Sequence, residues 1–139
     1  LREGYVLDHI KAGKAMTIYH DLKLDKLDCT VAIIKNARSN KMGKKDIIKV
    51  ECPVENLDLD ILGFIDHNIT VNVIKDEKIV AKKELKLPNQ VVNVIKCKNP
   101  RCITSIEQGL DQIFVLADKE KEVYRCKYCE EKYTGKRNK

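Results

Sequence analysis

Residues 97–129, CKNPRCITSIEQGLDQIFVLADKEKEVYRCKYC, hold four cysteines in two knuckles: Cys97 and Cys102, then Cys126 and Cys129. Four residues lie inside the first pair, 23 between the pairs and two inside the second pair. A short turn bearing two thiolates grips one side of a metal ion. A second such turn, returned by an intervening hairpin, completes a tetrahedron. This is the pattern of a closed Zn(Cys)4 site, with Zn–S near ~2.3 Å and no coordination position open to a substrate. Such a site holds a fold together and does no chemistry of its own. Without a metal the same four residues would be buried or disulfide-bonded thiols. The stretch from Asn89 onward has 51 residues, too few to rely on an apolar core alone, and a metal staple is the usual remedy at that size.

The other two cysteines, Cys29 and Cys52, sit far upstream in apolar, strand-like segments and read as small buried hydrophobes. The sequence has no apolar run long enough to cross a membrane, so disulfides are not expected and a reducing cytoplasm is. The net charge of +6 is spread along the chain, with 16 basic against 14 acidic residues through Pro88 and 11 against 7 beyond it. Four thiolates on a divalent ion carry a surplus of negative charge, which Lys96, Lys98, Arg101, Arg125 and Lys127 beside the knuckles would balance. The basic excess is therefore weak evidence for a nucleic-acid partner.

The first 88 residues alternate strand and helix patterns. Val6–Ile10 reads as the end of a strand, and Ala12–Leu24 as a helix carrying Ala12, Ala15, Met16, Tyr19 and Leu22 at helical spacing. Cys29–Ile34 and Asp46–Glu51 read as strands, with the polar Lys35–Lys45 as a loop and Pro53 as a stop. Asn56–His67 reads as a second helix with acids in its early turns, where the dipole favours them. Ile69–Ile74 and Ile79–Leu87 read as a hairpin turning at residues 75–78. The sum is an α+β, ferredoxin-like antiparallel sheet with two helices on one face. An exposed edge of that sheet would suit docking of a second copy. Pro88-Asn89-Gln90 marks a boundary between domains at 1–88 and 89–139. The second domain is expected to be small, all-β and zinc-centred, with short strands over Ile103–Ile106, Gln112–Leu116 and Glu122–Arg125. The tail from Gly135 is expected to fray.

Catalytic patterns are missing. His9, His20 and His67 are scattered, and no HExxH, nucleophile elbow, P-loop or GxGxxG occurs. Asp58 and Asp60 lie on a polar helix face and read as solvated. The chain does not read as an enzyme.

Four blocks in order resemble one family. Val6-Leu7-Asp8-His9-Ile10 looks like a V-I-D-H-I segment, Met42–Glu51 (MGKKDIIKVE) is similar to M-G-x-K-D-x-I-K-x-E, and Thr70-Val71-Asn72 matches a T-V-N strand. Ile95–Cys102 and Cys126–Glu130 reproduce its zinc knuckles. The family is the regulatory chain of aspartate carbamoyltransferase, an enzyme of pyrimidine biosynthesis whose catalytic trimers are bridged by regulatory dimers. The resemblance implies a non-catalytic subunit whose N-terminal domain binds CTP or ATP and forms the homodimer. Carried over by position, it implies Asp8, His9, Lys49, Asn72 and Lys82 at the effector, with Lys45 a further candidate, and apolar walls from Ile74 and Ile79. Glu77 stands where familiar members carry a Tyr beside the base. The zinc domain is implied to dock on catalytic chains, with Asn99 and Glu130 at contact positions and Arg101 where some members have Asn. No membrane and no nucleic acid is implied as partner. The alternative reading, a zinc-ribbon nucleic-acid-binding protein, calls for aromatic side chains on the sheet face.

Overall fold

The computed structural model describes residues 2–53 and 57–133. The chain divides into two compact units, residues 1–85 and 86–139.

The first unit runs β1 (Glu3–Lys11), α1 (Ala15–Asp21), a 3-10 turn (Leu24–Lys26), β2 (Thr30–Ser39), β3 (Gly43–Glu51), α2 (Leu59–Asp66), β4 (Thr70–Lys75) and β5 (Lys78–Glu84). The five strands form one antiparallel sheet in the order β2-β3-β1-β4-β5. Alternation along the strands sorts the two faces. Tyr5, Leu7, Ile48, Val50, Val71 and Val73 point to one face and are buried. Ala15 and Ile18 of α1 and Leu62 of α2 belong to the same core, so both helices cover that face, as the apolar spacing predicts. The other face carries Val6, Asp8, Ile47, Lys49, Asn72 and Ile74, which are half-buried or exposed.

Several local features were not legible as drawn from pattern alone. The polar stretch 35–45 is mostly strand: β2 extends to Ser39 and β3 begins at Gly43, leaving a three-residue turn. An outward-facing edge hairpin has no apolar stripe to announce it. Helix α1 is shorter than its apolar spacing suggests, ending at Asp21 before Lys23 adopts a left-handed φ of 56°. Helix α2 starts from Asp58, whose carboxylate accepts the amides of Asp60 at 3.0 Å and Ile61 at 3.1 Å. The expected start at Asn56 and the tail from Gly135 lie outside the described residues. Asp76 and Glu77, at φ 51° and 66°, form the two-residue turn of the β4–β5 hairpin, the geometry a right-twisted hairpin requires.

Cys29 and Cys52 are not the separate small hydrophobes that their surroundings suggest. They are joined as a disulfide, with Cα atoms 5.9 Å apart. Burial of Cys52 hides the pairing from a composition-based reading, because an apolar neighbourhood suits a free thiol and a cystine equally.

The second unit holds β6 (Gln90–Val92), α3 (Ile103–Ile106), β7 (Ile113–Asp118) and β8 (Val123–Cys126). Its strands form an antiparallel sheet in the order β6-β7-β8. The expected strand at Ile103–Ile106 is instead one helical turn following Cys102. Among the described residues the buried side chains are few: Pro88, Val91, Phe114 and Tyr124, together with Thr104 and three of the four cysteines. Tyr124 Oη donates to the Pro88 carbonyl at 2.5 Å, tying the strand to the start of the unit.

Candidate functional site

The knuckles form through backbone geometry around Asn99 and Glu130. The Asn99 side chain accepts the Arg101 amide at 3.1 Å, while its carbonyl accepts the Cys102 amide at 3.0 Å and the Ser105 hydroxyl at 2.8 Å. This folds residues 97–102 into a tight loop that brings the two thiols to one side. In the second knuckle, Glu130 takes a left-handed φ of 63°, donates its amide to Cys126 O at 2.9 Å and accepts Arg125 Nη1 at 3.0 Å. The four ligand sulfurs of Cys97, Cys102, Cys126 and Cys129 all lie within 4.8 Å of one another. Cys97 and Cys129 sulfurs are 3.6 Å apart, and Cys102 and Cys126 sulfurs 3.7 Å. For an ion held tetrahedrally by thiolates at about 2.3 Å, sulfurs lie about 3.8 Å apart. The donor set therefore fits such an ion.

Three groups support the cluster. Gln112 Oε1 accepts the Cys97 amide at 2.9 Å, the Thr104 hydroxyl lies 3.1 Å from the Cys102 sulfur, and the Glu131 amide donates to the Cys129 sulfur at 3.4 Å. Burial, reinforced by the neighbouring thiols, pushes the Cys97 thiol up to about 12 and raises that of Cys126. Burial acts the same way on Cys102, but the hydroxyl and amide of Thr104 outweigh it and bring this thiol down to about 7. Four such thiols crowd together stably when a cation takes the place of their protons. Sequence reasoning singled out all four clustered cysteines and missed Thr104 and Gln112, since hydrogen-bonding side chains at no fixed spacing leave no signal.

The first unit gathers the other candidates on the uncovered sheet face. Lys49 pairs with Val6, Val6 with Asn72, and Asn72 with Lys82, so one row crosses β3, β1, β4 and β5. A bulge in β1 between Leu7 and Ile10 adds Asp8 and His9. Leu7 and Ile10 are both fully buried, so the bulge lets two consecutive side chains leave the core side. His9 sits at φ 63°, donates its amide to Asp8 Oδ1 at 2.6 Å, and brings its Nδ1 to 3.0 Å from the Thr70 hydroxyl. Lys45 Nζ pairs with Asp8 Oδ1 at 2.8 Å. Burial raises the Asp8 carboxyl, but Lys45 and the His9 amide more than offset it and hold it below the usual range. Ile74 and Ile79 are cross-strand partners beside this row, with Ile79 66% exposed. Lys49 and Lys82 present exposed cations beside a half-buried amide, an arrangement able to hold an anion and hydrogen-bond a polar ring or sugar. Thr70, which steadies His9, was not singled out from the sequence, although it begins the T-V-N segment. Asn99 and Glu130 shape the two metal knuckles; Glu130 is exposed and Asn99 half-buried.

No helix among the described residues is long and apolar enough to cross a membrane. Two family models match the chain in succession. Residues 1–86 match the allosteric domain of the aspartate carbamoyltransferase regulatory chain, and residues 89–139 match its metal-binding domain. Among curated proteins, the aspartate carbamoyltransferase regulatory chain of Clostridium acetobutylicum is 53% identical over 97% of this chain and 92% of its own length. That of Clostridium tetani is 50% identical over 96% and 92%, and that of Bifidobacterium longum 44% over 94% and 94%. These relatives are named for the regulatory and not the catalytic chain. An allosteric domain carrying an uncovered, charged sheet face and a four-cysteine metal-binding domain follow one another here in the family's order, and the chain belongs to the aspartate carbamoyltransferase regulatory chains.

Proposed function

We propose that the chain is a non-catalytic cytoplasmic subunit that binds CTP and ATP on the sheet face and docks on aspartate carbamoyltransferase catalytic trimers through a zinc-stapled domain. The observation that carries the effector reading is the row Lys49–Val6–Asn72–Lys82, flanked by the Asp8–Lys45 pair and His9. A nucleoside triphosphate brings several negative charges, which Lys82, His9 and Lys45 meet with charge-assisted hydrogen bonds. Lys49, Asp8 and Asn72 suit ribose hydroxyls and a base edge, and Ile74 with Ile79 suits the base's faces.

Zinc is the ion that an all-thiolate tetrahedron of these dimensions favours. Its role is structural: with so few buried apolar groups, much of the domain's folding energy is metal-binding energy. Exposed Ile103, Ile106, Leu110 and Tyr128 give this unit apolar surface for a protein partner. Two copies join through the N-terminal domains, for which an edge strand offers unpaired backbone groups. Regulation is then a coupling free energy, typically ~1–3 kcal/mol: CTP and ATP favour different states of the assembly, and active-site ligands reciprocally change nucleotide affinity. Among its described strand positions the uncovered face has no Phe, Tyr or Trp, and one imidazole, His9, is no stacking platform, so little favours the nucleic-acid alternative.

Light scattering on the zinc-loaded chain mixed with catalytic trimers tests the docking. A complex larger than the trimer, lost on chelation, is expected; a zinc-bound chain that leaves trimers unchanged would sink it. Calorimetric titration of that complex with CTP tests the effector face. Lys82→Ala should weaken binding by about tenfold with the complex intact, and undiminished affinity would remove the row from the site.

A further inference from the structure

Cys29 and Cys52 belong to neither site. Thr30 pairs with Glu51 in the β2–β3 ladder, so the next residues outward, Cys29 and Cys52, stand opposite each other. Their Cα separation of 5.9 Å lies in the middle of the range a disulfide spans without backbone movement. The two sulfurs differ in access: Cys52 is buried in the core and Cys29 is half-exposed at its margin. The other four cysteines of the chain form the metal cluster of the second unit, where thiolates are required. One chain thus makes two redox demands, four cysteines kept reduced and a pair placed to oxidise. In a reducing compartment, disulfides of the second kind are transient and sensing rather than permanent.

We propose that Cys29–Cys52 is a reversible thiol–disulfide site, oxidised by exchange with low-molecular-weight disulfides, that sets how firmly edge strand β2 is held to the sheet. The Cys29 thiolate, the more accessible of the two, attacks one sulfur of the small disulfide, forming a mixed disulfide and releasing one thiolate. Cys52 then attacks the Cys29 sulfur, closing the internal bond and releasing the second. The two protein thiols are oxidised by two electrons, the small disulfide is reduced to two thiols, and the two protons leave on them. Among the described residues, strand β2 has one ladder partner, β3, and a bulge between Ile34 and Ala37 interrupts that ladder. Closing the 23-residue separation between the cysteines restricts the opened strand far more than the paired one. The opened population should fall on the order of a hundredfold. Because β3 also carries Lys45 and Lys49, the cross-link braces the strand under the charged row. That extension rests on the effector reading above, and the redox site does not.

The test uses the full zinc-loaded chain equilibrated with mixtures of glutathione and glutathione disulfide, quenched by alkylation and mapped without reduction. A peptide linking Cys29 to Cys52 should appear and disappear reversibly as the mixture is changed, while the four metal cysteines stay unalkylated until chelation. Amide hydrogen exchange in β2 should slow on the order of a hundredfold in the oxidised form. In Cys29→Ser, that exchange should no longer respond to the mixture, with zinc content and circular dichroism retained. The site is overturned if both thiols alkylate equally at every ratio, if the metal cysteines oxidise first, or if β2 exchanges alike in both forms. A failure of CTP to bind would leave all of these readouts intact, and so separates this inference from the effector reading.

Discussion

Gly4 marks where β1 runs too close to its neighbour for any side chain. A Cβ at this position would collide with the carbonyl oxygen of Val50, a backbone atom with nowhere to go. Gly4→Ala should therefore cost at least about 2 kcal/mol, because relief requires β1 and β3 to part; an unchanged denaturation midpoint would show that the ladder has slack. Four residues further along β1, the pair Asp8–Lys45 links charge to pH. The Asp8 carboxyl is held below its usual range in the fold, so its contribution is complete above the unfolded carboxylate pKa and disappears as pH falls through the lower folded value. Partial solvation limits the gain to under about 1 kcal/mol. Asp8→Asn should lower stability by that much at neutral pH, and the difference should shrink and vanish as Asp8 is protonated in acid, read from urea midpoints across the acid range. Tyr5 is the residue-scale oddity. Its hydroxyl is buried without a hydrogen-bond partner among the described residues, and its burial raises its pKa.

Among the elements, Asp46 joins three that the sequence pattern leaves unconnected. Its carboxylate, fully buried, accepts the amides of Gly13 at 3.0 Å, Ala15 at 3.1 Å and Asn36 at 2.9 Å. It thereby fixes the turn into α1 and the bulge of β2 from a position on β3. Asp46→Asn keeps the shape but turns an amide toward backbone donors, and should destabilise the first unit by about 3 kcal/mol; a loss under half of that in equilibrium unfolding would mean water replaces the bonds. This tether also explains where sequence reading stops. The core strands and both helices were legible because their apolar period is set by burial on one face. The β2–β3 hairpin was hidden because its outer half is exposed, and the turn at Ile103–Ile106 because four residues are too few to display a period. The four-cysteine cluster was legible, since two knuckles at short spacing are a local signal. The joining of Asp8, His9, Lys49, Asn72 and Lys82 on one face was not, because it depends on strand register and on a bulge; only the likeness of whole blocks to a family suggested it.

For the whole molecule, the two units should differ in what holds them. Among the described residues, the first has a broad apolar core running through its sheet and both helices, and the second a handful of buried apolar side chains around four cysteines. Chelation should melt the second and leave the first folded, so that hydrogen exchange rises across β6–β8 and stays low in β1, β3 and β4. Loss of protection throughout would mean that the units do not fold separately. The charged row has a last consequence, a mechanical one. Lys49 and Lys82 lie three inter-strand steps apart, roughly 14 Å, and between them run β1 and β4. Any anion long enough to be grasped by both acts as a tie-beam laid across the grain of the sheet, resisting changes in twist that the short inter-strand hydrogen bonds tolerate. A shorter anion held at one end leaves the sheet free to flex. Two ligands of equal affinity and different reach would then load the same scaffold differently, and the difference would be felt in strands that neither touches.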